Sequence, residues 1–156
     1  VLFGVLGMRG IIPQEGFTLV ELMVTIAVMA IIAMMAAPMF GDLLINQNLI
    51  RSTEELVSSI NQARMKAVVE RRQVKVQLNS TYIADTDNQI NWMPSGKAQL
   101  KTGSDTSIIF LMSGLVKDAT GDTTFEICNK TGGNKSKIIS VSRMGAIQST
   151  TVGTCS

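Results

Sequence analysis

The chain has 156 residues, a net charge of +2 and no histidine. Without histidine it has no Ser-His or Cys-His pair and no imidazole base, which excludes most hydrolytic mechanisms. A Ser-Lys or carboxylate-only mechanism stays open, but no residue spacing points to one. Two cysteines alone cannot supply the four ligands of a structural zinc site. We therefore expect no enzymatic activity, no catalytic residue, no metal and no cofactor.

A long apolar run begins after Gly16 and continues to Phe40, with one carboxylate, Glu21, near its start. About 20 apolar residues suffice to span a membrane, and an ionised Glu inside a span costs about 2.5 to 3.5 kcal/mol. Two simpler interpretations are a plain anchor and a secretory signal cut near Ala33–Ala37. The run exceeds the apolar core of a secretory signal. Neither interpretation explains a carboxylate beside a Gly-Phe junction.

The start of this run has a recognisable pattern. Its residues are Gly16-Phe17-Thr18-Leu19-Val20-Glu21. The pattern resembles the class III signal of type IV pilins and of the pseudopilins of type II secretion. The resemblance implies that a prepilin peptidase cleaves between Gly16 and Phe17 and methylates the new amine of Phe17. It also implies that Glu21 pairs with the terminal ammonium of a neighbouring subunit during filament assembly.

The same resemblance predicts how the chain is divided. Residues 1–16 form the leader, and we expect translation to start at Met8. Arg9 is a weak positive-inside signal, which favours a cytoplasmic leader. Residues 17–44 form the transmembrane and assembly helix, and residues 45–156 form a periplasmic head. The protein is expected in the inner membrane by a single span and then in the pilus or pseudopilus.

A single long helix is predicted from about Thr18 to about Arg72. Pro38 is expected to break or weaken it, because an interior proline removes a backbone hydrogen bond. After the apolar half, one stripe recurs at steps of three and four residues, which indicates a single buried face. Its members are Leu49, Thr53, Leu56, Ile60, Ala63 and Ala67.

The period then changes to two, which is typical of strands. The predicted strands are Val74–Leu78, Ser107–Met112, Thr123–Cys128, Lys137–Ser142 and Ala146–Ser149. Residues 84–104 are expected to be a loop with weak strands. Short strands separated by tight turns favour an antiparallel meander. The predicted class is therefore α+β: a long helical spine packed on an antiparallel β-sheet head, the pilin fold.

Further motifs resemble the FimT/FimU/GspH subgroup of this superfamily. They are Arg51-Ser52, Ala63-Arg64-Met65-Lys66-Ala67, Phe125-Glu126-Ile127-Cys128 and Ile139–Gly145. The resemblance implies a minor pilin of the type IV pilus, a structural subunit that helps to initiate assembly at the filament tip. Its partners would be other minor pilins, the major pilin and the prepilin peptidase. A GspH-like minor pseudopilin of a type II secretion system is the alternative.

The two cysteines, Cys128 and Cys155, both lie in the predicted periplasmic part. In an oxidising compartment such a pair is expected to form a disulfide. It would close a loop of about 26 intervening residues, worth about 3 kcal/mol in the chain-entropy description. Two free thiols are the alternative.

A DNA-binding minor pilin for natural transformation is the remaining alternative. Some FimT-like pilins bind DNA through a Gly-Arg-x-Arg motif, whereas this chain has Gly145-Ala146-Ile147-Gln148, without either arginine. The candidates for weak phosphate contact are Lys130, Lys135, Lys137 and Arg143. A solvated loop is the favoured interpretation of these charges. We expect weak binding without sequence preference, if any.

Mass spectrometry of the N-terminus tests the cleavage prediction. The mature protein should begin at Phe17 with a methylated amine, and Gly16→Val should block maturation because a β-branched side chain obstructs the extended backbone that glycine permits. A mature chain that begins near Pro38 would instead support an ordinary signal peptide.

Overall fold

The computed structural model describes residues 16–155, without the side chains of residues 37 and 38. Within these residues, one helix, α1 (Leu19–Val69), is followed by seven strands. The strands are β1 (Val74–Leu78), β2 (Gln89–Trp92), β3 (Gln99–Leu100), β4 (Ser107–Phe110), β5 (Thr123–Cys128), β6 (Ser136–Val141) and β7 (Ile147–Gly153). The chain divides into two compact units between Met39 and Phe40. The predicted leader lies outside the described residues, except for Gly16.

In the first unit, the segment Leu19–Ala36 has a mean hydropathy of 2.5, and none of it is buried within the chain. Within the described residues, it is the one helical segment that is long enough and apolar enough to cross a membrane. The helix continues through Pro38 without ending. The predicted weakening at Pro38 therefore does not divide α1 in this state, and its role during assembly stays a prediction.

In the second unit, the predicted stripe of α1 is confirmed as the buried face of the helix. Its six members are all buried, and so is Ser52 beside them. The Thr53 hydroxyl donates to the Leu49 carbonyl at 2.7 Å, so this polar group is satisfied within the buried face. The alanines near the end of the stripe, Ala63 and Ala67, allow the sheets to approach the helix closely.

The helix ends three residues before the predicted boundary. Arg71 has a φ of 49°, in the left-handed region, and the Arg72 amide donates to the Ala67 carbonyl at 3.2 Å. A left-handed residue with a backward hydrogen bond is a common way to end a helix, although glycine usually fills that position. This turn directs the chain into β1.

The strands form two sheets, ordered β2-β1-β4 and β3-β5-β6-β7. All pairs are antiparallel except β1 with β2, which are parallel. The fold class is thus confirmed, with one parallel pair that the sequence pattern did not predict. The reason is the connection over residues 79–88, which returns the chain to the start of β1 instead of making a tight turn.

A single hydrophobic core joins the helix to both sheets. Phe110 of the first sheet and Phe125 of the second are fully buried, as are Leu56 and Ile60 of α1. Burial of each such side chain contributes about 1.5 to 3 kcal/mol. Residues 84–104 contain two short strands, β2 and β3, as predicted, and Trp92 of β2 is buried.

Two turns pack together over the helix. Gly114 and Gly145 have φ values of 79° and 75°, and each donates its amide to the carbonyl three residues earlier. A Cβ atom at Gly145 would lie 2.4 Å from the Gly114 carbonyl oxygen and 3.0 Å from Nε of Arg64. Glycine is therefore required at position 145 by both the backbone conformation and the space.

The substitution Gly145→Ala should destabilise the head by more than the roughly 1–2 kcal/mol of a left-handed alanine, because the added methyl group meets backbone. Gly103→Ala is the matched control, since Gly103 has a φ of 86° and open space around it. Urea unfolding of the full chain in detergent, followed by Trp92 fluorescence, measures both. Equal losses in the two variants would contradict the close-packing argument.

Candidate assembly site

The beginning of α1 is fixed by Thr18. Its Oγ1 accepts a hydrogen bond from the Glu21 amide at 3.2 Å, and its carbonyl accepts one from the Leu22 amide at 3.2 Å. Thr18 is thus the N-cap residue, and Thr18 with Glu21 has the spacing of a capping box. The cap was not predicted from the sequence, although the S/T-x-x-E spacing of Thr18 and Glu21 was a sufficient signal.

Glu21 lies in the first turn of the helix with its side chain exposed. Unpaired amides at a helix N-terminus carry partial positive charge, which favours a carboxylate there. No salt bridge joins Glu21 to another residue in the described part of the chain. On transfer into an apolar environment, this carboxylate therefore needs a cation from elsewhere.

The surface around Glu21 is mostly apolar. All side chains from residue 17 to residue 35 are exposed, including Phe17 at 83% and Leu22 at 59%. An uncovered apolar surface of this length marks a region that a membrane or another protein covers. Phe17 and Glu21 therefore lie on one continuous apolar segment with a single acidic group.

In the head, the β2–β3 loop fastens the helix to the sheets. The Ser95 amide donates to Oγ of Ser52 at 2.8 Å, and the Ser95 hydroxyl donates to Glu55 at 3.1 Å. Gly96, with a φ of 61°, lies directly against the Asn48 side chain. The Arg-Ser motif at residues 51–52 was recognised, but the loop contact was not, because 43 residues separate the two serines.

The second sheet carries one charged group with a shifted pKa. Glu126 accepts a hydrogen bond from the Ser136 hydroxyl at 2.7 Å and forms a salt bridge with Lys101 at 3.1 Å. Burial raises the pKa of Glu126, but the hydrogen bonds from Ser136 and Lys101 and the lysine charge together lower that pKa below its ordinary value. This contribution to stability is present at neutral pH and is lost as the pH falls through the lowered pKa.

The structure joins Cys128 and Cys155 by a disulfide, with 5.8 Å between their Cα atoms. Cys128 ends β5, and Cys155 lies two residues after β7. Because β6 lies between those two strands, the bond fastens the end of β7 across its neighbour. It links two strands that share no backbone hydrogen bonds.

The four basic candidates for DNA contact do not form one patch. Lys130 and Lys135 line a cleft of about 400 Å³ together with Asp42 of α1. Lys137 lies on β6 beside the middle of the helix, and Arg143 lies in the turn at the other end of β6. The expectation of weak phosphate binding, which comes from their charge, stays a prediction.

Replacing Cys155 by serine should lower the free energy of unfolding of the head by about 2–4 kcal/mol, because the unfolded chain loses a constraint. The wild-type protein measured in reductant is the control, and its stability should fall to that of C155S. Alkylation without reductant followed by mass spectrometry is the independent check. Two freely alkylated thiols would contradict the disulfide.

Comparison with family models gives two matches. Residues 13–37 match the prokaryotic N-terminal methylation motif, and residues 52–145 match the type II transport protein GspH. The first match covers the Gly-Phe junction and most of the apolar segment. The second covers more than half of the chain, from the Ser52 contact to the Gly145 turn.

Two curated proteins of Pseudomonas aeruginosa, each described as a fimbrial protein, are similar to this chain. One is 30% identical over 83% of this chain and 79% of its own length. The other is 30% identical over 68% of this chain and 71% of its own length. Both alignments therefore extend over most of each protein.

Among solved structures, the chain is similar to the type IV minor pilin FimU of Pseudomonas aeruginosa. The TM-score is 0.50 with 23% sequence identity, over 66% of this chain and 88% of that one. This likeness shows the fold. The two family matches and the fimbrial relatives identify a structural subunit of the pilin or pseudopilin kind. The chain belongs to the GspH family, within the superfamily of type IV pilins and pseudopilins.

Proposed function

We propose that this protein is a minor pilin of the type IV pilus that helps to initiate assembly at the filament tip. The observation that supports this most is the likeness to two fimbrial proteins over most of the chain. Other minor pilins and the major pilin are its partners. The prepilin peptidase removes residues 1–16 and methylates Phe17.

Cleavage after Gly16 would give the segment two complementary groups. A new ammonium at Phe17 would stand one residue before the helix cap at Thr18, and the carboxylate of Glu21 would follow within the first turn. The ammonium of one subunit and the Glu21 carboxylate of the next then neutralise each other in an apolar environment. A charge left without its partner in that environment would be strongly destabilising. The pairing would therefore fix the register between subunits.

The exposed apolar segment has two successive environments in this proposal. Before assembly, Leu19–Ala36 crosses the inner membrane and holds the head in the periplasm. After assembly, the segments of neighbouring subunits cover one another. The energetic difference between the two environments is small for the apolar side chains, so Glu21 decides whether the subunit moves from one to the other.

A minor pseudopilin of a type II secretion system is the second candidate, and the description of the matched family favours it. The same processing and the same Glu21 pairing would serve it. A role in DNA uptake has less support, because the four basic candidates are distributed over different parts of the head. For that role we expect only weak, salt-sensitive binding.

Deletion of the gene followed by complementation tests the proposal. Deletion should remove most surface pili, and Glu21→Ala should fail to restore them while its leader is still cleaved. Glu21→Asp keeps the charge and should restore piliation at least in part. Thr25→Ala is the matched control on the same helix, since the Thr25 hydroxyl bonds only to the nearby Leu22 carbonyl. Sheared pili are quantified, and immunoblots report processing.

Two results would contradict the proposal. Normal piliation in the deletion strain, with loss of secreted exoproteins, would assign the protein to a type II secretion system. Full restoration of pili by Glu21→Ala would show that the carboxylate does not set the register between subunits.

A further inference from the structure

The last strand of the second sheet, β7, has one unpaired edge. It pairs with β6 along Ile147–Gly153, and no other described strand follows it in the order β3-β5-β6-β7. Its five central residues are exposed. The backbone amides and carbonyls on the outer side of β7 are therefore open to solvent or to another chain.

This edge lacks the usual protections against pairing. Natural edge strands are short, carry lysine or proline, or are covered by another element. β7 has seven residues, Ile147-Gln148-Ser149-Thr150-Thr151-Val152-Gly153, without a charge or a proline. The other edge strands have four residues or fewer. Of the described sheet edges, β7 is thus the longest, and it is rich in the β-branched residues that favour strands.

A groove runs beside this edge, between β7 and the middle of α1. It has a volume of about 590 Å³, and Ile50 and Val57 of the helix line it together with Thr150 of β7. Glu54 and Lys137 supply one charge of each sign. Ile50 is 48% exposed, and Val152, which pairs with Lys137, is 73% exposed. The groove therefore combines apolar side chains with one charge of each sign, and no described residue fills it.

The strand is held firmly in place before any partner arrives. The disulfide fastens its end to β5, and Gly153 lies so close to Ser136 that a Cβ atom there would be 2.6 Å from the serine oxygen. At its beginning, a register shift at Ser140/Val141 sets the pairing with β6. A preformed edge loses little entropy on binding, which favours association.

We propose that β7 accepts an extended strand from the head of another pilin subunit, which continues the second sheet to a fifth strand. Backbone hydrogen bonds to β7 provide the affinity, and the groove selects the side chains, as in other cases of strand addition. The donor places apolar side chains over Ile50 and Val57 and a basic side chain against Glu54. That the donor is a pilin head rests on the proposed function, whereas acceptance of a strand does not.

The test uses the full chain in detergent and a defined probe. The probe is a peptide of about seven residues that alternates valine with threonine and carries one arginine, which matches one β-strand of this length. A copy that is N-methylated at alternate amides keeps the side chains but cannot pair along one edge. The first peptide should bind and should slow amide hydrogen exchange in β7, and the methylated copy should do neither.

A pair of neighbouring substitutions provides the matched control. Thr150 faces the groove and Ser149 faces the opposite side of the sheet, because successive side chains alternate. T150K should weaken binding about tenfold or more, since a strand added there must bury a lysine. S149K, with the same added charge, should change it by less than about twofold. Unchanged Trp92 fluorescence shows that both variants are folded.

Three outcomes would overturn the inference. They are equal binding of the two peptides, protection at β2 or β4 instead of β7, and equal effects of T150K and S149K. If, without peptide, amide hydrogen exchange in β7 slows as the protein concentration rises, the strand that pairs with β7 comes from a second copy of this chain. Failure of this test leaves the piliation phenotypes untouched. If the peptide binds β7 but the deletion strain has normal pili, acceptance of a strand stands, and only the identification of the donor as a pilin head is wrong.

Discussion

The head depends on the burial of one helical stripe. Leu56 and Ile60 lie in the same core as Phe110 and Phe125, so that both sheets share one face of α1. The stripe ends in Ala63 and Ala67, and these small residues decide how closely the strands and the two glycine turns approach the helix. With the helix removed, each sheet would expose the apolar face that it buries against α1.

The two halves of α1 need different surroundings. Its first half is apolar on all sides and has no partner in the described chain, whereas its second half has one buried face and one polar face. A cap at Thr18 and a carboxylate at Glu21 make the beginning polar enough to define where the helix starts. In the proposed function, this acidic group distinguishes one register of neighbouring helices from another.

Much of this architecture was readable in the sequence. The helical stripe and the strand at Thr123–Cys128 were predicted residue by residue, because a period of 3.6 or 2 is a local property. The parallel pairing of β1 with β2 was not, since it depends on the path of residues 79–88. The contact of Ser95 with Ser52 was missed for the same reason, as pairing between distant residues leaves no local pattern. Of the assembly site, Glu21 stood out because a charge in an apolar run is costly, and the Thr18 cap was overlooked beside it.

The position of the disulfide has a consequence for the order in which the head is completed. Cys155 lies after every strand of the fold, whereas Cys128 ends β5. A chain emerges N-terminus first, so α1 and the first sheet are available to fold while the last strands are still absent. The covalent link can close only after residue 155 has emerged, which is later than every strand of the described fold. The bond therefore comes last in the completion of the second sheet, and a chain that stopped before Cys155 would leave Cys128 without its partner.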